Sequence, residues 1–139
     1  MAVIVSLWSV NLGDAAQAYD NRACGGTDNQ DCLRTATQTV KENWNAIIAE
    51  LLSLRSTSDT IIRAAGLGYT PHLYTEEVFE SYLDEVNRHI ATTASDNDIP
   101  LAEVHLDKGY IGPDGVHPND EGYEVIAGQL RGLGYSPLK

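Results

Sequence analysis

Apolar residues gather in three short runs and three longer stripes along the chain. Ala2 to Trp8 is continuous and β-branched, the pattern of a fully buried strand. Asn11 to Asn29 is polar and glycine-containing and reads as a loop, about as long as loops become without being functional or disordered. Leu33, Ala36, Val40, Trp44, Ile47, Leu51 and Leu54 then recur in steps of three and four. That spacing predicts one apolar stripe on a helix over 32–54, with Asp31 as its N-cap. Ser56 to Asp59 reads as a turn, and Thr60 to Ala65 as a second buried strand. After a loop over Gly66–Pro71, Thr75 is placed to cap a second helix. Glu76 and Glu77 lie in its first turn, where the helix dipole favours acids. Val78, Tyr82, Val86, Ile90 and Ala94 mark its buried face, and Asp96-Asn97-Asp98 ends it. Pro100 to Leu106 is the third predicted strand. A last helix carries Tyr123, Ile126, Leu130 and Leu133 before Gly134, with Pro118 near its first turn, where no backbone N–H is needed.

Strands alternating with crossovers of twenty-odd residues imply parallel pairing and right-handed connections. The expected fold class is therefore α/β, three-layered, with a short parallel sheet and crossover helices. In such sheets functional groups gather beyond the C-terminal ends of the strands. Asn11 follows the first strand, and Asp114 and His117 follow the third, so all three are expected on that edge. No internal repeat or low-complexity segment interrupts the 139 residues, and one domain is the expectation.

The charge balance narrows the partners. A net charge of −11 supplies no basic stripe to displace counterions, which argues against nucleic acid. It also disfavours adsorption to anionic membranes. The longest apolar run is too short to span a bilayer, and Met1 leads into a strand-like segment with no basic region typical of a signal peptide. Cys24 and Cys32 flank a loop of Gly, Thr, Asn and Asp. They lack C-x-x-C redox spacing, and two thiols are too few for structural zinc. Either they close a small loop or they are two unrelated thiols.

The densest chemistry lies in Pro113-Asp114-Gly115-Val116-His117-Pro118-Asn119-Asp120-Glu121-Gly122-Tyr123. A histidine acting as general base needs a carboxylate on one ring nitrogen, so that the other faces the substrate in the correct tautomer. Asp-Gly is a strong turn dipeptide and supplies that carboxylate locally. The competing reading is a plain turn followed by a helix start. His72 and His89 read as surface or boundary residues, and His105 as a core or rim residue at the end of the third strand. His105, Asp107, Asp114 and His117 lack the spacing of a metal-binding motif.

The segment Asp114 to Asn119, with Glu121-Gly122-Tyr123 and Ile126-Ala127, resembles the last motif of the SGNH, or GDSL, family of serine ester hydrolases. Ile99 to Val104 is similar to the last strand of that family, and Asp31 to Tyr69 to a helix-then-strand unit. Val3 to Asn11 is similar to the strand that ends in its G-x-N-D motif, where this chain has Ser9-Val10-Asn11-Leu12. The Gly-Asp-Ser block with the nucleophile, and the block whose glycine N–H helps bind the oxyanion, have no counterpart. The resemblance thus implies a truncated SGNH-hydrolase/flavodoxin-like single domain over 1–139. It implies a carboxylic ester hydrolase with His117 as base, Asp114 as its orienting acid and Asn11 as oxyanion donor. No cofactor or metal is implied. The candidate nucleophile is Ser9, which occupies the glycine position of the Asn-bearing motif, or else a serine outside this chain. Ser6 points to the opposite face of the strand. Relatives of this type are often secreted, which favours a Cys24–Cys32 disulfide. The alternatives are a catalytically inactive remnant that binds esters or another chain, and a carbohydrate acetylesterase. Without the neighbouring strand, the uncharged 2–8 segment is expected at a sheet edge and to pair with a second copy, giving a homodimer, or with a missing N-terminal segment.

Overall fold

The computed structural model describes residues 2–6, 10–66, 77–115 and 117–137. The chain builds an α/β fold on a parallel sheet of order β1-β2-β3. The strands are β1 (Ala2–Ser6), β2 (Ile61–Ala65) and β3 (Leu101–Ala102), and the helices are α1 (Val10–Asp20), α2 (Asp31–Leu54), α3 (Glu77–Asp96) and α4 (Asp120–Gly132). β1 pairs with β2 along its whole length, from Ala2 opposite Ile61 to Ser6 opposite Ala65. β2 pairs with β3 only at its end, Ala64 opposite Leu101 and Ala65 opposite Ala102.

Every residue of β2 is buried, as a central strand covered on both faces requires. On one face, Ile62 and Ala64 join Val5 of β1, Val40, Trp44 and Ile48 of α2, and Val86, Ile90 and Ala94 of α3 in the main core. On the other face, Ala65 packs with Val104 and Leu106 against the partly buried Val125 and Ile126 of α4. Arg63 points to this second face as well and is only 5% exposed. Its guanidinium donates to the carbonyls of Ile62, Gly134 and Ser136 at 2.8–2.9 Å. It thereby ties the segment after α4 down onto the sheet.

Several expectations need correction. The first strand is not fully buried: Val3 and Val5 face the core, while Ala2 is exposed and Ile4 is 58% exposed. Among the described residues β1 is an edge strand, and its alternating side chains meet a packing layer on one face only. Trp8, the predicted end of that strand, lies outside the described residues. The predicted loop from Asn11 holds a helix, α1, over most of its first half. Ala15 and Ala16 bury against Leu33, Ala36 and Phe79, with Leu12 and Tyr19 beside them. On α2 the buried stripe runs Leu33, Ala36, Thr37, Val40, Trp44, Ile48. Ile47 and Leu54 are exposed, because the 3.6-residue period carries a long stripe from a step of three to a step of four.

Asp31 is the first helical residue rather than the cap, and Gln30 at the cap position makes no side-chain cap bond. The helix start is held instead by backbone: the N–H groups of Asp31 and Cys32 donate to the carbonyls of Gly25 and Cys24. A disulfide joins Cys24 to Cys32 across that loop. Asn29 braces it further, accepting from the Cys24 N–H at 3.0 Å and donating to the Tyr19 carbonyl at 2.8 Å. The third strand is two residues long, not seven. Its pairing with β2 ends at Ala65 opposite Ala102, with one further bond from the Gly66 N–H to the Ala102 carbonyl, and Val104 and Leu106 are buried outside the strand. Thr75 and His72 lie outside the described residues.

Candidate active site

After β3 the chain passes through buried Val104 and Leu106, then coils into a 3-10 turn at Lys108–Tyr110. From there it makes a closed excursion and returns. Ile111 bridges Pro118 in antiparallel fashion, and the Gly112 N–H donates to the His117 carbonyl at 2.7 Å. Between them, the Gly115 N–H donates to the Gly112 carbonyl at 3.0 Å. Gly115 itself has φ +73°, a backbone setting that a residue with a Cβ adopts at a cost. The Asp-Gly dipeptide is therefore used as a tight turn.

That turn brings Asp114 and His117 together. One Asp114 oxygen accepts from the His117 backbone N–H at 3.0 Å, and the other lies 2.7 Å from His117 Nδ1. A carboxylate only accepts, so Nδ1 is the protonated ring nitrogen and Nε2 is the basic one. The side chains are 61% exposed for His117 and 52% for Asp114. At such exposure the pair contributes little to stability; its consequence is a fixed ring orientation and tautomer. The two residues line an open cleft of about 520 Å³ with Pro118, Asn119, Asp120 and Glu121.

Of the other predicted residues, Asn11 falls in the first turn of α1. Because the strands are parallel, the chain leaves β1 and β3 on the same edge of the sheet, and α1 starts from that edge. Ser9 lies outside the described residues. His89 is far from this chemistry in role: its Nε2 is 2.8 Å from Asn45 Oδ1 on an exposed α2–α3 surface. His105 is exposed and lines a separate groove with Gly66, Asn87 and Glu103. Among the described residues, no three His, Cys, Asp or Glu side chains converge as metal ligands. No described helix is long and apolar enough to cross a membrane.

One site-building residue escaped the sequence reading. Asn119 is the N-cap of α4, and its Oδ1 accepts from the Gly122 N–H at 2.9 Å. An asparagine directly before Asp120-Glu121 was the available signal, since Asn is a strong cap and acids favour the first turn.

A family model described as GDSL-like lipase/acylhydrolase matches residues 14–130. A spore germination lipase, LipC, of Bacillus licheniformis is 25% identical over 111 residues, covering 75% of this chain and 51% of that protein. The chain thus spans about half the length of this curated relative. No solved structure matches it.

Proposed function

Because the chain belongs to the GDSL-like lipase/acylhydrolase family, we propose that it takes part in carboxylic ester hydrolysis by a serine mechanism with His117 as base. The observation that carries this reading is the 2.7 Å contact between Asp114 and His117 Nδ1. With Nδ1–H held by the carboxylate, Nε2 takes the hydroxyl proton of a serine as its oxygen attacks the ester carbonyl carbon. Asp114 stabilises the imidazolium so formed. Nε2 then returns the proton to the departing alkoxide, leaving an acyl-serine. Water repeats the sequence, releasing the carboxylic acid and restoring the serine. Asn11, at the start of α1, is the proposed donor to the developing oxyanion. No cofactor enters any of these steps. The cleft is open, and the sheet-edge position of α1 and of the His117 loop is consistent with one shared site.

The nucleophile is proposed to be Ser9, or a serine supplied from outside residues 1–139. A second reading, an ester-binding domain without turnover, is favoured by one observation: residues 1–139 contain no Gly-Asp-Ser. The two readings separate on turnover of a short-chain p-nitrophenyl ester, with and without a serine-directed phosphonate. We expect turnover, its loss on phosphonate treatment, and a label located by mass spectrometry. An unlabelled, inactive chain refutes the catalytic reading.

We further propose that β1 pairs antiparallel with a second copy across a two-fold axis. β1 lies at the sheet edge, carries no charge or proline, and exposes Ile4. These features mark an unprotected edge. Light scattering is expected to give twice the chain mass at micromolar concentration, and a monomer mass refutes the pairing.

A further inference from the structure

Partly buried Tyr110 and Ile111 pack the His117 loop against the second core at one end, and Pro118 is buried at the other; α4 contributes only Gly122 to the fully buried set. A knot of hydrogen bonds at the start of α4 fixes the loop further, and Asn119 is at its centre. The Asn119 N–H donates to the Tyr110 carbonyl at 2.9 Å. Its side-chain Nδ2 donates to the Gly109 carbonyl at 2.8 Å, and its Oδ1 accepts from the Gly122 N–H at 2.9 Å. Its own carbonyl accepts the Tyr123 N–H at 2.9 Å. One residue thus joins the 3-10 turn to the first turn of α4, two positions after His117.

Gly122 is the matching half of the knot. A Cβ there would overlap the Tyr110 carbonyl oxygen deeply and lie 2.9 Å from Pro118 Cβ. The Tyr110 oxygen is the acceptor that holds the Asn119 N–H. Any side chain at 122 pushes α4 away from the 3-10 turn, and it does so at the carbonyl that anchors Asn119 and against the proline next to His117. This glycine is required for close approach, and its backbone torsions are ordinary helical ones.

We propose that Asn119 and Gly122 are positioning residues for His117. They clamp α4 onto the Lys108–Tyr110 turn, so that the returning strand Ile111/Pro118 keeps the imidazole on Asp114. The inference rests on the reading of His117 as the base. Neither residue touches the reacting atoms. Their effect is on which ring nitrogen carries the proton and where the basic nitrogen points. Small displacements of that kind cost rate steeply, because the reaction depends on near-attack geometry.

The test is ring ¹⁵N spectroscopy of His117 in the full chain, above the pH range in which histidine titrates, alongside ester turnover. The wild-type ring is expected to show the pure Nδ1–H tautomer. Gly122→Ala is expected to show a mixture of tautomers, with kcat lower by about ten- to a hundredfold and KM little changed. Asn119→Asp keeps the cap oxygen and places an acid where the helix dipole favours it, but loses the amide donor to Gly109. It is expected to show the same tautomer change to a smaller degree. Should Gly122→Ala not fold, Asn119→Asp decides the matter. A wild-type tautomer signature in the folded variants overturns the proposal. The spectroscopic readout needs no turnover, so an inactive wild-type chain defeats the hydrolase reading while this measurement still decides the clamp.

Discussion

Replacing both Cys24 and Cys32 by alanine removes a cross-link that spans eight positions. The loop-entropy relation gives about 2.5 kcal/mol for a loop of that size at 25 °C. Unfolding entropy of about 2.1 cal/mol/K per residue converts this to a Tm lowered by about 8–9 °C for a 139-residue chain. The native side adds little. Cys24 is buried beside Ala15, Leu33, Ala36 and Phe79, and exchanging its sulfur for hydrogen empties little space. The rest of the loop keeps its braces, since Asn29 still binds the Cys24 N–H and the Tyr19 carbonyl through bonds that need no sulfur. The assay is a pair of thermal melts followed by circular dichroism, on wild type and on the double variant, each with and without a phosphine reductant. Reductant is expected to bring the wild-type curve down onto that of the variant and to leave the variant unmoved. A shift below about 3 °C would refute the entropic argument. Two titratable thiols per wild-type chain, under denaturing non-reducing conditions, would show that no cross-link exists.

Three further outcomes follow from the packing and the site. His117→Ala is expected to lower ester turnover by at least about 10³-fold, and Asp114→Asn by a similar factor through the wrong tautomer; an unchanged rate in either sinks the base assignment. Trp44 is fully buried in the main core, yet its indole N–H has no hydrogen-bond partner among the described residues. Trp44→Ala should cost about 3–5 kcal/mol in urea unfolding, whereas Trp44→Phe, which removes the unpaired donor, should cost less than about 1.5 kcal/mol; equal costs would contradict the packing account. Arg63→Ala is expected to cost about 2–4 kcal/mol, through a cavity and three carbonyls that lose a charged donor. Limited proteolysis should then cut within residues 133–137 much faster than in wild type, and an unchanged cleavage rate counts against the tether.

The parts of this fold that sequence patterning captures are those with large apolar side chains at a regular period. Leu33, Val40 and Trp44 on α2, and Val86, Ile90 and Ala94 on α3, are buried where their spacing predicts. The failures have specific causes. α1 buries mainly Ala15 and Ala16, residues too small to stand out among Asn, Asp, Gln and Gly, so a helix looks like a loop. Ile47 and Ile48 are equally apolar, and only the accumulated helical phase decides that Ile48 faces the core. A strand pattern over 100–106 records burial at Val104 and Leu106, but pairing depends on the length of a neighbour distant in sequence. Asp114 and His117 were legible because the contact is local, three residues apart across one turn. The clamp by Asn119 was not, because its meaning lies in Gly109 and Tyr110, ten and nine positions earlier.

Stability and candidate chemistry are held by different forces in this chain. The sheet face carrying α2 and α3 is an apolar core of aromatic and branched side chains, insensitive to small shifts in any one hydrogen bond. The face carrying α4 is smaller: Ala65, Val104 and Leu106 with partly buried Tyr110, Ile111, Val125 and Ile126, a buried guanidinium, and a loop closed by backbone and amide bonds. Apolar contact is non-directional and leaves a side chain free to slide, whereas a hydrogen bond weakens steeply when its angle opens. A histidine whose use depends on which nitrogen is protonated needs the second kind of restraint. The hydrogen bonds over residues 109–122 supply that restraint beside the packing of Tyr110 and Ile111.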